Sequence, residues 1–112
     1  EELPEHLDFR TTRLIEEADL DDAFLNVTRD EEGLSWIHIG GDDGQTASVW
    51  MDDSMNAWQA CSGDHIGAVD YRRAGMAAEP MSCIADAFNT GESLVRLEPG
   101  ATHSVRWGLR LS

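Results

Sequence analysis

A chain of 112 residues with 22 acidic side chains and 8 basic ones, every one of the latter an arginine, carries a formal charge of −14. Such a surface repels polyphosphate and anionic lipid, which excludes nucleic acid and membrane surfaces as partners. With 41% hydrophobic residues and four tryptophans, the composition suits a packed core rather than disorder, and no linker-like shift divides residues 1–112 into more than one unit.

In chain order, the opening EELPEHLDFR has no initiator methionine, as though sequence upstream is missing. No basic, apolar leader is present and no run reaches membrane-spanning length, so the expected compartment is cytoplasmic. EEADLDDAFLN (16–26) is the one stretch with room for a helical turn. It is short, and its acids read better as a turn leading into a strand at Ala23, Phe24 and Leu25. LSWIHIGG (34–41), TASVWMDD (46–53), NAWQACSG (56–63) and HIGAVDYRR (65–73) are rich in tryptophan and β-branched residues and read as strands. In HSVRWGLRLS (103–112), Val105, Trp107, Leu109 and Leu111 alternate with Arg106, Gly108 and Arg110, the period-two pattern of a half-buried strand. Asp/Gly-rich turns at 29–33, 40–44, 62–64, 89–92 and 98–101 separate these runs. Short strands at this spacing predict an all-β fold, an antiparallel β-sandwich.

Metal chemistry has little support. His6, His38, His65 and His103 are scattered without a spacing that aligns two imidazoles, and the acidic turns lack the alternating ligands of a calcium loop. Cys61 and Cys83 have no CxxC spacing and read as reduced thiols. Three segments with polar residues stand out instead. Glu79 lies in the apolar run GMAAEPMSCIADAF, among Met76, Met81, Cys83 and Ile84. Burial there would strip it of water and disfavour its charged form, as a proton-handling group requires; the plain alternative is a side chain pointing to solvent from a half-buried strand. Pro80 confines Glu79 to extended backbone angles. In AWQACSGD, Gln59 is an amide able to donate and accept at once, and it alternates in facing with Trp58, so one of the two at most faces a given pocket. In DLDDAFLN, Asp19, Asp21 and Asp22 are either solvated turn acids or acceptors for a polyhydroxylated ligand.

The order LDDAF, WQACSG, AAEPMSCIADAFNTGESLVRLEPG resembles the C-terminal portion of the aldose 1-epimerase (galactose mutarotase) family, in particular its bacterial branch. Members carry a D-[HD]-x-F segment, a Q-x-x-[TS]-G strand, an A-x-E-P-M-[TS]-C segment followed by AF-N-[ST]-G, and a closing L-x-P-G turn. LDFR near the start and SVRWGLRLS at the end extend the likeness over the whole chain. The resemblance implies a large β-supersandwich with an open groove for a hexose such as galactose or glucose, and no metal or organic cofactor. It assigns the general base to Glu79 and sugar contacts to Asp21 and Gln59. Ile84 and Ala85 replace prolines common after the cysteine, and Cys61 stands where tyrosine is common. Members are much longer, and their acid histidine, second pocket histidine and substrate arginine come from earlier sequence; none of the four histidines here matches those motifs. Association with a missing N-terminal portion or with another chain is therefore expected. Two rival readings accompany this one: a catalytically silent carbohydrate-binding sandwich, and a hexose-6-phosphate epimerase using Arg72, Arg73 or Arg96 for the phosphate.

Overall fold

Strand-forming runs and glycine-bearing turns alternate along the chain, and the computed structural model, which describes residues 2–112, folds them into two three-stranded antiparallel sheets with almost no helix. The strands are β1 (Asp21–Phe24), β2 (Ser35–Gly40), β3 (Thr46–Met51), β4 (Ala57–Cys61), β5 (Ala77–Met81) and β6 (Trp107–Leu111). One sheet runs β1-β4-β5 and the other β2-β3-β6. The fold is thus the all-β, sandwich-like arrangement that the alternation predicts. Gly44, at φ 78°, turns the β2–β3 hairpin, where the Asp43 carboxylate accepts from the Gln45 N–H at 3.0 Å.

Two readings of local structure are corrected. HIGAVDYRR is not a strand: residues 65–73 form turns around a 3-10 segment, Val69–Tyr71. Gly63 and Gly75 flank this stretch, Gly67 interrupts it, and Arg73 holds a positive φ of 56°, which breaks any ladder there. A short helical turn, α1 (Ala87–Thr90), follows β5, where the chain shows no helical periodicity; Asp86 starts it from a left-handed conformation (φ 65°) and Gly91 stops it.

The core is small. Val49 and Met51 from β3, Met55 from the following loop and Trp58 from β4 form one cluster, joined by half-buried Phe24, Val27, Ile37 and Ala78 from both sheets. Trp58 is the wedge between layers: its indole Nε1 donates to Ser35 Oγ of β2 at 2.9 Å, so its one polar atom is satisfied inside the interface. Beyond this cluster the layers do not close. Trp107, Leu109 and Leu111 keep the predicted alternation but are 53%, 71% and 78% exposed, which corrects the expectation that β6 is half-buried. The radius of gyration is 15.6 Å, with extents of 48 × 34 × 29 Å. A compact domain of about this length has a radius of about 13 Å.

On the outer face of β2-β3-β6 the side chains brace one another. Trp36 stacks on His38 with centroids 5.5 Å apart, its Nε1 donates to Asp30 Oδ2 at 3.0 Å, and Arg110 lies over its ring at 4.7 Å. Trp50 lies flat across Gly108 of the neighbouring strand, where a Cβ would come within 2.5 Å of the indole nitrogen. Gly108→Ala therefore forces Trp50 or the β3–β6 pairing to shift. We expect a loss of about 1–3 kcal/mol in a urea titration, with a changed near-ultraviolet tryptophan signal, typical of overpacking a braced site.

Candidate functional site

The site residues follow from the side-chain alternation of three paired strands. Trp58 points inward, so Gln59 points outward. Gln59 pairs with Glu79 of β5 on one side and with Ala23 of β1 on the other; one step along, Cys61 pairs with Ala77 and with Asp21. All six residues share the outer face of β1-β4-β5. Asp21, Gln59 and Glu79 are its polar members, and Ala23, Cys61 and Ala77 form a low floor between them. Gln59 Nε2 donates to Asp21 Oδ1 at 3.0 Å. Glu79 lies directly across from Gln59, at a spacing of about 5 Å between β-carbons for such a pair. The three residues singled out from the sequence thus stand together, on strands remote in the chain.

The environment of Glu79 differs from the expected one. Glu79 is exposed, because Ala78 and Pro80 take the inward positions of β5 and Glu79 the outward one between them. The apolar run around it supplies the other face of the strand rather than a pocket for its carboxylate. Pro80 is accommodated because β5 is an edge strand, where a missing N–H leaves no ladder bond unmade. The site is a shallow surface, not a groove. Hollows of about 290 Å³ and 450 Å³ lie elsewhere, the first lined by Glu5, Asp8, Thr11, Thr12 and Arg13, the second by Leu25, Asn26, Val27, Arg29, Asn56, Glu92 and Ser93.

The Asp21 end of this face is bounded by a loop that the sequence did not mark as a unit. Buried Ser62 accepts from the Leu20 N–H at 2.9 Å and donates to the Asp64 carboxylate. Arg73 binds Asp64 at 3.0 Å and reaches the carbonyls of Glu16 and Ala18. His65 Nε2 lies 3.3 Å from Asp19 Oδ1, two residues before Asp21. These bonds tie residues 62–73 to 16–20, and only the SGD turn hints at them in the sequence. Arg73 is thereby committed to the loop, and the Arg72 Nε donates to the Ile66 carbonyl at 2.8 Å. Cys61 and Cys83 are free thiols. Among the described residues no three or more His, Cys, Asp or Glu side chains gather as a metal site, and no helix is long and apolar enough to cross a membrane. No family model, curated protein or solved structure matches the chain.

The Ser62 hydroxyl, followed by Arg73, holds the Asp64 carboxyl below its ordinary range. A carboxyl depressed in the folded state adds stability above its unfolded pKa, and that contribution fades as the pH falls through the folded value. Ser62→Ala should move the Asp64 carbon titration upward in NMR and weaken the acid-side slope of stability below about pH 4. The same change leaves the Leu20 N–H without its side-chain acceptor, and we expect a cost of about 1–3 kcal/mol in chemical denaturation.

Proposed function

We propose that the outer face of β1-β4-β5 binds a hexose and that the protein interconverts its α and β anomers, in the manner of an aldose 1-epimerase. The observation that carries this reading is the adjacency of Asp21, Gln59 and Glu79 on one sheet face, with Gln59 hydrogen-bonded to Asp21 and paired with Glu79. The motif order LDDAF, WQACSG, AAEPMSC supports it independently. On this reading the two sheets belong to a larger mutarotase-like supersandwich, whose other strands raise walls around the open face.

In the reaction, Glu79 takes the proton of the anomeric hydroxyl while an acid protonates the ring oxygen. The ring opens, the aldehyde turns about its bond to the neighbouring carbon, and closure delivers either anomer. Asp21 accepts from sugar hydroxyls, and Gln59 both donates and accepts, so the polyol is held in one orientation. The low floor of Ala23, Cys61 and Ala77 leaves room for the ring between them. A sugar seated there displaces water from Glu79, replacing in the complex the burial that the free chain does not provide. The acid for the ring oxygen comes from a partner polypeptide segment. No cofactor takes part, and the substrate is neutral, in keeping with a net charge of −14 and with the engagement of Arg73 by Asp64.

A silent carbohydrate-binding sandwich is the second reading, and the exposure of Glu79 favours it. Two measurements separate them. Added galactose should shift the Gln59 side-chain amide resonances, and Asp21→Asn should weaken that binding, under either reading. Polarimetry on fresh α-galactose and α-glucose, with the acid-supplying partner present, should show Glu79→Gln slowing anomer exchange by about 10²–10⁴. Equal rates for wild type and variant, with binding retained, would leave only the silent module. Because Glu79 is exposed and makes no side-chain hydrogen bond among the described residues, the variant should keep the thermal midpoint of the wild type.

A further inference from the structure

The final strand joins three features that neither the core nor the proposed sugar site uses. First, β6 is an edge. It pairs with β3 on one side, and among the described residues no strand lies on its other side. The hydrogen-bond phase shows which groups that edge presents. Thr46 and Ser112 exchange both backbone bonds, at 2.7 and 3.0 Å, and the Asp52 N–H donates to the Arg106 carbonyl at 3.2 Å. Pairs alternate in an antiparallel ladder, so Arg106, Gly108, Arg110 and Ser112 turn their N–H and C=O toward β3. Trp107, Leu109 and Leu111 turn theirs outward, to the open side.

Second, those same three residues carry the exposed apolar face. They pair with Met51, Val49 and Ala47, so their side chains continue the core-facing side of the sheet past the point where the other sheet covers it. Third, the opposite side carries Arg110 of β6 and Arg106, the residue just before the strand. In a chain with 22 acids and 8 arginines, neither guanidinium comes within ion-pair distance of a carboxylate among the described residues; the Asp52 carboxylate opposite Arg106 bonds to Ser54 and feels the arginine's charge at longer range. The two guanidinium groups rest instead over Trp50 and Trp36, at 6.0 and 4.7 Å from the ring centroids. Cation–π contact holds the Arg110 charge in place, Arg106 sits at the outer reach of such a contact, and neither guanidinium donates a side-chain hydrogen bond among the described residues.

We infer that β6 is a strand-addition site for an extended acidic segment of another polypeptide. The added strand pairs with the outward N–H and C=O groups of Trp107, Leu109 and Leu111. Its alternate residues are apolar on the core-facing side and carboxylates on the side of Arg106 and Arg110. This is β-augmentation with a two-sided code: main-chain bonds supply affinity, and the alternation supplies selectivity. β6 contains no proline, no lysine and no inward charge, and its one charged side chain, Arg110, lies on the outer face. The inference does not depend on the sugar reading, because β6 and Glu79 belong to different sheets.

The test uses the chain with a seven-residue synthetic peptide alternating glutamate and leucine, against the same peptide with lysine for glutamate. Net charge alone ranks the lysine peptide first, since the chain carries −14. The inference demands the reverse order, by about tenfold or more. It also demands slowed hydrogen exchange at the Trp107, Leu109 and Leu111 amides, and a preference that shrinks as salt rises. The variant Arg106→Gln/Arg110→Gln, in which neutral side chains still cover the indoles, should lose the preference but keep exchange protection by leucine-rich peptides. Preference for the lysine peptide, equal binding of both, or protection confined to another strand would overturn the inference. So would protection of β6 in the protein alone with dimers in sedimentation, which would assign the edge to a second copy.

Discussion

The inward commitment of Trp58 governs the rest of the molecule. Its indole fills the gap between the sheets and bonds to Ser35, and a β-strand allows no independent choice for the next residue. With Trp58 inside, Gln59 must face out; the register of β5 then turns Glu79 out beside it, and that of β1 turns Asp21 to the same side. A slip of one residue in any of these pairings would scatter the three polar groups over both faces. The constellation therefore depends on a packing decision made on the other side of the sheet.

The same logic explains why Glu79 is well hydrated despite its apolar neighbours in the chain. Methionine, alanine and proline around it satisfy the inner face, and the glutamate takes the alternate position that such a strand always offers. Chemistry at this carboxylate then depends on what is laid over it. A ligand, or further strands rising at the sheet margins, would withdraw water from a group that the isolated face leaves wet. The anomer-exchange reading and the silent-binding reading differ in that one respect, the identity of what covers the face.

Much of this architecture is legible in the sequence, for definite reasons. β2, β3, β4 and β6 announce themselves by tryptophan, β-branched residues and alternation, and the acidic glycine turns mark their ends. The mutual exclusion of Trp58 and Gln59 follows from strand geometry alone. HIGAVDYRR misleads because Ile66, Val69 and Tyr71 look strand-like, while the surrounding glycines and the pins from Arg73 to Asp64 and to residues 16–18 hold the segment as a loop. Those pins are long-range and leave no periodic trace. The exposure of Glu79 and of the β6 apolar face is hidden for a different reason: alternation reports which residues share a side, not whether anything lies against that side.

The modest size of the buried cluster has a thermodynamic consequence. The heat-capacity increase of unfolding scales with the apolar surface newly exposed to water, and here twelve large hydrophobic side chains among the described residues are already exposed in the folded state. Melting such a body uncovers comparatively little further apolar area, so its free-energy curve against temperature is broad and low, with a gentle denaturant dependence to match. Any polypeptide that settles over the open faces raises that dome and sharpens its curvature together.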